Sequence, residues 1–409
     1  MNLKIKQRIK QIKNSKVPEG YISTKAGVLP KWDCVHISQI AEPITVKVGN
    51  SIYETLSISA GVGFVNQAKK FGKELSGKQY EKYTVLKRGD FSYNKGNSKT
   101  YPQGCIYRLK DRETAAVPNV FESFTVKEGD SDYYEQLFTL GFLNKQLSTK
   151  INHGVRDDGL LNLPGKDFYS CYLPAPPLVE QQKIAEILMQ CDKVIELKQK
   201  HIDETKKLKK VFLNKMFPKN GENVPEIRFS GFTDPWKQRK LGEFCEITTG
   251  RLDANAMVPD GKYDFYTSGI AKYKIDIPAF SGPAITIAGN GATVGYMHLA
   301  DGLFNAYQRT YVLSDFSADR QYLFYAIGTK LPEKIAQEAR TGNIPYIVMD
   351  MLTDLDIDMP SVEEQAQIGA YLKNLDNLIT LHQRELQEWQ NKKKALMQLL
   401  LTGIVRVNI

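Results

Sequence analysis

The chain has 409 residues, of which 42% are hydrophobic and 25% are charged, and its net charge is +9 at pH 7. This composition excludes a disordered or fibrous chain and predicts two or three globular domains, whose basic surface favours a polyanion such as nucleic acid. The five cysteines are scattered without CxxC spacing, so we expect no disulfide framework and no structural zinc, but a reducing, cytoplasmic environment.

The N-terminal segment, residues 1–16, has six basic residues and no acidic one. Ile5, Ile9 and Ile12 recur at helical spacing, which predicts a short basic amphipathic helix. The segment has no continuous apolar stretch, so we do not expect a secretory signal. No apolar run in the chain approaches transmembrane length, and we expect no membrane partner.

Two globular units follow the same plan. The segment VPEGYISTKAGVLPKWDCVHISQIAE from Val17 matches VPEIRFSGFTDPWKQRKLGEFCE from Val224, with Trp32 opposite Trp236. Each unit then alternates short apolar runs with glycine turns, as strands do, and closes on a helical pattern and a basic, glycine-containing loop. The sequence therefore predicts two related domains of mixed α/β structure.

A second repeat follows each unit. EQQKIAEILMQCDKVIELKQKHIDETKKLKK, from Glu180, recurs 184 residues later as EQAQIGAYLKNLDNLITLHQRELQEWQNKKK, from Glu364, with 11 identities in 31 positions. Apolar residues recur at spacings of three, four and seven in both copies, which predicts helices that pack along their whole length. Prolines precede each copy and Pro218 and Gly403 follow, so each helix should have about 40 residues and be about 60 Å long.

These elements predict an α+β fold in which two pseudo-repeated mixed α/β domains alternate with two long helices. The expected boundaries are 1–16 for the basic helix, 17–177 for the first domain, 178–218 for the first long helix, 219–361 for the second domain, 362–404 for the second long helix and 405–409 for a tail.

No stretch of the sequence meets the requirements of a catalytic motif. In SGPAITIAGNGATVG, from Ser281, two glycines fit a dinucleotide-binding turn, but Val294 occupies the place of the third and the next segment reads as a strand. Glu196 and Lys198 have nuclease-like spacing, but they lie in a predicted helix without a carboxylate on a neighbouring strand. We therefore predict no catalytic residues and no metal ligands in this chain.

Nucleic-acid features are stronger. Residues 198–219 contain eight lysines against two carboxylates, a net charge of +6 that suits a phosphate backbone. The unit loops collect Asn and Gln, which can pair with adenine, and Arg and Lys, which can pair with guanine. The candidate DNA-binding residues are Asn94, Lys95, Asn97, Ser98, Lys99, Tyr101, Gln103 and Arg156 in the first unit, and Asn290, Thr293, Gln308, Arg309, Arg340 and Asn343 in the second.

The chain resembles the specificity subunit of type I restriction–modification enzymes. The resemblance rests on the Trp32 and Trp236 segments, on the proline-led E-Q-x-x-I-x-x-x-L helices from Glu180 and Glu364, and on the Asp192 and Asp376 continuations. One departure is Gly369 in place of Ala185, which should weaken the second helix slightly.

The resemblance implies that each domain reads one half of a bipartite, asymmetric site in double-stranded DNA. The helices would pair as an antiparallel coiled coil and dock two methyltransferase subunits, with restriction subunits as further partners. AdoMet, ATP and Mg²⁺ would belong to those partners, with no cofactor in this chain. The residues expected to serve helix pairing and partner docking are Glu180, Gln181, Ile184, Leu188, Ile195, Glu364, Gln365, Ile368, Leu372 and Ile379.

Two other hypotheses remain open at this point. One is a coiled-coil scaffold without DNA readout, which would lack salt-dependent DNA binding. The other is a nuclease or methyltransferase whose site the sequence does not reveal, which would act on DNA without a partner.

Overall fold

The computed structural model describes residues 3–14, 16–24, 27–72, 77–96, 99–151, 161–219, 221–338 and 345–407. The chain forms two compact units: unit 1 comprises Met1–Leu197 and Leu386–Ile409, and unit 2 comprises Lys198–Glu385. Each long helix is therefore divided between the two units. Over the described ranges, no helix combines the length and the apolar character that crossing a membrane requires.

Unit 1 contains short strands and short helices, and the first long helix begins in it. Its helices are α1 (Leu3–Lys13), α2 (Ile37–Ile40), α3 (Gln67–Phe71), α4 (Ser131–Leu140), α5 (Asn144–Lys150), α6 (Gly165–Tyr169) and the start of α7 (Leu178–Lys215). Its strands are β1 (Tyr21–Thr24), β2 (Gly27–Pro30), β3 (Asp33–His36), β4 (Ala41–Pro43), β5 (Leu56–Ser59), β6 (Gly63–Asn66), β7 (Thr84–Lys87), β8 (Phe91–Asn94), β9 (Cys105–Arg108), β10 (Thr114–Val117), β11 (Glu122–Val126) and β12 (Tyr172–Ala175).

Unit 2 has the same plan with longer helices. Its strands are β13 (Lys237–Lys240), β14 (Glu246–Thr249), β15 (Tyr263–Tyr266), β16 (Lys272–Ile275), β17 (Phe280–Ser281), β18 (Ala284–Ala288), β19 (Met297–Ala300), β20 (Leu303–Ala306), β21 (Thr310–Ser314) and β22 (Asp356–Met359). Its helices are α8 (Arg320–Glu338), α9 (Met349–Thr353) and the first part of α10 (Val362–Leu400).

Equivalent strands build the central sheet of each unit. The antiparallel sheet of unit 1 has the order β4-β11-β8-β9, and that of unit 2 has the order β14-β21-β18-β19. Each unit also has an antiparallel pair that joins an early strand to the strand before the long helix. In unit 1 this pair is β3 with β12, and in unit 2 it is β13 with β22. The predicted α+β fold with two sheet domains and two long packed helices is confirmed.

The two long helices run antiparallel where they contact each other. Within unit 2, Lys198 pairs with Glu385 at 2.8 Å and Lys209 pairs with Asp376 at 2.6 Å. The residue numbers therefore increase along α7 as they decrease along α10. The core of unit 2 contains Ile368 and Leu372 from the start of α10 and Met216 from the end of α7. The core of unit 1 contains the reciprocal set from the start of α7 and the end of α10, namely Ile184, Leu188, Met397 and Leu400.

Gly369 has a packing role that helix propensity alone does not suggest. A Cβ atom at this position would lie 2.7 Å from Asp319 Oδ1 and 2.8 Å from the backbone nitrogen of Tyr322. The start of α8 therefore approaches α10 so closely that only glycine fits. The expected weakening of α10 is offset by this close contact, whereas Ala185, at the equivalent place in α7, is simply buried.

Candidate nucleic-acid interface

The hairpin β18–β19 presents the glycine-rich turn of unit 2. Two other segments meet its Gly289: the Gly289 N–H donates to the Arg309 carbonyl at 2.8 Å, and the Ile347 N–H donates to the Gly289 carbonyl at 2.8 Å. A Cβ atom on Gly289 would lie 2.4 Å from the Arg309 carbonyl oxygen. The glycine is therefore required by the approach of two backbones and does not form part of a phosphate-binding loop.

Polar side chains fix the tip of this hairpin to the loop after β15. Ser268 Oγ donates to Asn290 Oδ1 at 2.5 Å, and the Thr293 hydroxyl donates to the Ser268 carbonyl. The turn between β20 and β21 leaves the Gln308 and Arg309 side chains exposed beside it. The structure thus brings Asn290, Thr293, Gln308 and Arg309 together, the first two half-buried in internal hydrogen bonds and the last two open to solvent.

The hairpin β8–β9 is the equivalent feature of unit 1. Asn94 Nδ2 donates to the Ile58 carbonyl at 3.4 Å, and Asn94 Oδ1 accepts the Gly96 N–H at 2.9 Å. Lys95 is half-buried, with its ammonium 3.7 Å from Glu122 Oε2. Asn94 and Lys95 therefore hold the hairpin in shape before any ligand binds.

The other candidate residues of this turn differ in exposure. Lys99 is exposed, whereas Tyr101 and Gln103 are half-buried. The Gln103 carbonyl accepts a hydrogen bond from the Tyr93 hydroxyl at 2.7 Å. Five further candidates lie outside the described residues: Asn97, Ser98, Arg156, Arg340 and Asn343.

His298, on β19, lies between two tyrosine rings behind the hairpin of unit 2. Its ring centroid is 5.2 Å from that of Tyr266 and 4.9 Å from that of Tyr296. Burial lowers the pKa of His298 below its ordinary value, because the charged imidazolium would lose water. The imidazole is therefore neutral near pH 7 and is not a phosphate-binding cation.

The repeated Glu-Gln pair anchors both units by its side chains. Gln181 Oε1 accepts the Asp130 N–H at 2.8 Å, and Gln181 Nε2 donates to the Pro176 carbonyl at 2.8 Å. Gln365 makes the equivalent bonds, to Asp319 at 3.1 Å and to Pro360 at 3.0 Å. Each glutamine thereby joins the start of the long helix to the start of the domain helix, α4 or α8.

The buried glutamates each bind an arginine that follows the other long helix. Glu364, fully buried, accepts two hydrogen bonds from Arg228, at 2.7 and 2.8 Å. Glu180, also fully buried, binds Arg406 and accepts the Trp32 indole N–H at 3.2 Å. A carboxylate in such a position is tolerated because it is paired and hydrogen-bonded.

The residues expected to serve helix pairing and partner docking lie largely in the interior of the units. Ile184, Leu188, Ile368 and Leu372 are at most 2% exposed, and Ile379 is 9% exposed. Ile195 is half-buried. The buried side chains among them serve packing within each unit, and the docking role stays a prediction.

One pair of exposed residues on the helices was missed by the sequence reasoning. Leu197 and Leu381 occupy the same position of the repeat, and each is 50% exposed. The available signal was an identical leucine in both copies that lies outside the buried stripe.

The lysine-rich end of α7 forms one wall of a groove in unit 2, and α8 forms the other. The groove has a volume of about 620 Å³, and its lining includes Lys206, Lys209, Lys210, Lys219 and Lys330. Three of these have carboxylate partners: Asp376 for Lys209, Glu226 for Lys219 and Asp358 for Lys330. Within the described ranges Lys206 and Lys210 have none, which leaves two ammonium groups for an anion.

The described part of the chain does not contain three His, Cys, Asp or Glu side chains grouped to hold a metal ion. The Asp354, Asp356 and Asp358 series instead forms part of β22 and its entry, where Lys240 pairs with Asp356 at 2.7 Å and Lys330 pairs with Asp358 at 2.8 Å. The cation partners of Asp356 and Asp358 are thus lysines.

Two units with equivalent central sheets, hairpins and long helices define a duplicated protein. A family model described as "Type I restriction modification DNA specificity domain" matches residues 60–207 and 233–390. The chain belongs to this family: it is a specificity subunit, the non-catalytic member of a type I restriction–modification complex. The resemblance noted from the helix repeat is confirmed.

Individual relatives agree with this assignment. The chain is 34% identical over 167 residues to the EcoDI specificity subunit of Escherichia coli, a match that covers 41% of this chain and 37% of that protein. It is 26% identical over 285 residues to the MjaVIII specificity subunit of Methanocaldococcus jannaschii, covering 62% of this chain and 66% of that one. The matches therefore span between about a third and two thirds of these relatives.

Solved structures share the fold over nearly the full length. The S subunit of a type I restriction–modification system from M. genitalium superposes with a TM-score of 0.60 at 15% identity, covering 93% of this chain and 97% of that one. A second solved chain comes from a structure that concerns complex assembly and conformational transition of the type I R-M system. It superposes with a TM-score of 0.54 at 18% identity, and the match covers 92% of this chain and 99% of that one. At such identities the likeness concerns the fold alone.

Proposed function

We propose that unit 1 and unit 2 each read one half of a bipartite, asymmetric site in double-stranded DNA. The observation that carries the proposal is the pair of equivalent hairpins, β8–β9 and β18–β19, which share a sheet order and differ in the side chains around their turns. One scaffold used twice with different exposed residues suits two half-sites of different sequence.

The long helices would dock two methyltransferase subunits, and restriction subunits would join that complex. The two equivalent, exposed leucines Leu197 and Leu381 support two copies of one partner. AdoMet, ATP and Mg²⁺ would be bound by those partners, in the cytoplasm where the DNA lies. The methyltransferase needs an adenine out of the duplex, and the specificity subunit determines which adenine is presented.

The test is a genome-wide map of methylated adenines in cells that express the partner methyltransferase with and without this chain. We expect a gapped, asymmetric motif that disappears when the chain is absent. If the partner is bound and active and no chain-dependent motif is found, the DNA-reading role is wrong. Salt-dependent binding of the purified chain to DNA would then indicate domains that bind DNA without directing methylation, whereas its absence would favour the scaffold hypothesis.

A further inference from the structure

A short extended segment returns to the hairpin in each unit. In unit 2, Tyr346 forms an antiparallel bridge with Asn290, and the Tyr311 hydroxyl donates to the Ile347 carbonyl at 2.8 Å. Together with the bond from Ile347 to Gly289 described above, these contacts fix the backbone of the segment on both sides. The position of the Tyr346 backbone, from which its side chain projects, is thus set by the hairpin.

Unit 1 has the same feature. The Leu161 N–H donates to the Lys95 carbonyl at 2.9 Å, and the Lys95 ammonium donates to the Leu163 carbonyl at 3.4 Å. In both units the segment precedes a short helix, α6 or α9, and follows the basic loop that the sequence analysis singled out. The hydrogen-bond register differs, because the Lys95 carbonyl accepts from Leu161 whereas the Gly289 carbonyl accepts from Ile347. Counted from the short helix, however, Asn162 and Tyr346 hold the same position, three residues before Gly165 and Met349.

The side chains of the two segments alternate in the same way. Tyr346 and Val348 are 52% and 44% exposed, and Ile347 between them is 5% exposed. In unit 1, Leu163 is 4% exposed and lies between the exposed Asn162 and Pro164. The buried residue is a branched aliphatic in both units, whereas the exposed residue that precedes it is a tyrosine in one and an asparagine in the other.

Packing does not account for this difference. Ile347 and Leu163 belong to the cores of their units, which explains why both are aliphatic. Tyr346 and Asn162 make no side-chain hydrogen bond within the ranges that the structure describes, so their polar atoms remain available to a ligand. A residue that is fixed in place, exposed, and different in two otherwise matched sites has the properties of a specificity determinant.

We propose that Tyr346 and Asn162 are specificity-determining residues that contact base edges beside the hairpins of unit 2 and unit 1. This inference rests on the proposed DNA-reading function and adds two residues that the sequence reasoning did not select. An asparagine amide offers a donor and an acceptor side by side, which matches the major-groove edge of adenine. A tyrosine offers an apolar ring suited to the thymine methyl group and one hydroxyl that donates or accepts.

The experiment maps methylated adenines in cells that carry the partner methyltransferase and one variant of the full chain. We expect Tyr346→Ala to relax or change the half-site read by unit 2 and to leave the other half intact. Asn162→Ala should do the reverse, so that each variant is the control for the other. Loss of one good base contact should reduce discrimination at that position roughly 5- to 150-fold.

A third variant tests whether any exposed tyrosine has this effect. Tyr273, on β16, is 38% exposed and lies in a separate four-stranded sheet of unit 2, with the order β16-β15-β20-β17. We expect Tyr273→Ala to keep the wild-type motif. If Tyr346→Ala or Asn162→Ala leaves its half-site unchanged, or if either changes both halves, the proposal is overturned. If no methylation is found with Tyr346→Ala, Tyr346→Phe and Tyr346→His are tested in its place. The proposal is then overturned if both of these variants direct the wild-type motif.

The wild-type map separates this inference from the function on which it rests. If the wild-type chain directs no bipartite motif, the proposed function has failed and the two residues have no half-site to read. If it directs one that both variants preserve, the function stands and only the roles of Tyr346 and Asn162 are wrong.

Discussion

The two units differ most clearly in how they satisfy the same buried glutamate. Glu364 is held by Arg228, whose side chain is only 13% exposed. Glu180 is held by Arg406, which is 45% exposed, and by the Trp32 indole N–H. Among the residues that the structure describes, the matching indole of unit 2, on Trp236, is buried and has no hydrogen-bond partner. The duplication thus retains the anchor while the donors that complete it have diverged.

A second difference lies at the domain helices. α4 has 10 residues, and α8 has 19. The additional length of α8 supplies Lys330 and Glu333 to the wall of the basic groove. The centre of each unit therefore follows one plan, whereas the surface differs between the units.

The largest effect should come from removing the glutamate of unit 2. Glu364→Ala leaves the Arg228 charge poorly solvated, and we expect a loss of about 3–5 kcal/mol in unfolding free energy. Glu180→Ala should cost less, because Arg406 can reach water. Hydrogen exchange measures the loss in unit 2 for Glu364→Ala and the loss in unit 1 for Glu180→Ala. A loss for Glu180→Ala that equals or exceeds the loss for Glu364→Ala would contradict the comparison.

Gly369 gives the next largest effect. Gly369→Ala forces a Cβ atom against the backbone of α8, and we expect a loss of about 1–3 kcal/mol. The control is Ala185→Gly in α7, which should cost about 1 kcal/mol through helix propensity alone. Urea unfolding followed by circular dichroism compares the two, and a stabilising Gly369→Ala would show that the contact is not tight.

The two tryptophans provide a matched pair. Trp32→Phe leaves a buried lone pair of Glu180 without its donor, whereas Trp236→Phe removes an N–H that has no partner. We expect Trp32→Phe to cost about 1–2 kcal/mol more than Trp236→Phe. Equal losses in hydrogen exchange of the two units would mean that the indole bond contributes nothing.

The groove should affect DNA binding without affecting its specificity. The double change Lys206→Ala and Lys210→Ala removes two unpaired charges and should weaken binding to all sequences alike, with the salt slope reduced by about 1–2. Lys183→Ala with Lys193→Ala, on the other half of α7, is the charge-matched control. A loss confined to one DNA sequence would argue against a phosphate contact.

The smallest effect should be a pH dependence confined to unit 2. The pKa of His298 is lowered in the folded state by burial, so the unfolded chain binds the proton more tightly. Unit 2 should therefore lose stability as pH falls through the unfolded value of about 6.5. His298→Leu should flatten the profile between pH 7.5 and 5.5, and an unchanged profile would assign the dependence to another group.

Local patterns in the sequence were sufficient for the elements that bury long, regular stripes. The starts of α7 and α10 and the repeat between them follow from apolar periodicity and from the prolines before each helix, since both act over a few residues. The absence of a dinucleotide loop also followed from local spacing, because Val294 and the strand after it conflict with that fold.

The candidate DNA-binding residues could be chosen by type but not by surroundings. Gln308 and Arg309 are exposed beside the hairpin. In contrast, Asn94 is hydrogen-bonded to the backbone of Ile58 and Gly96, and Lys95 is paired with Glu122. Tyr346 and Asn162 were missed because their position depends on a bridge across the chain that no short pattern encodes.

The sequence by itself determined the duplication, the two long helices and the family, because these are written in periodicity and in residues repeated at a fixed offset. Only the tertiary structure decided that Glu180 and Glu364 bind arginines from the far ends of the opposite helices. It also decided that Gly369 is a contact point and that most of the helix residues chosen for helix pairing and partner docking are buried. These outcomes depend on which distant segments share a small volume, and that is set by packing over the whole unit.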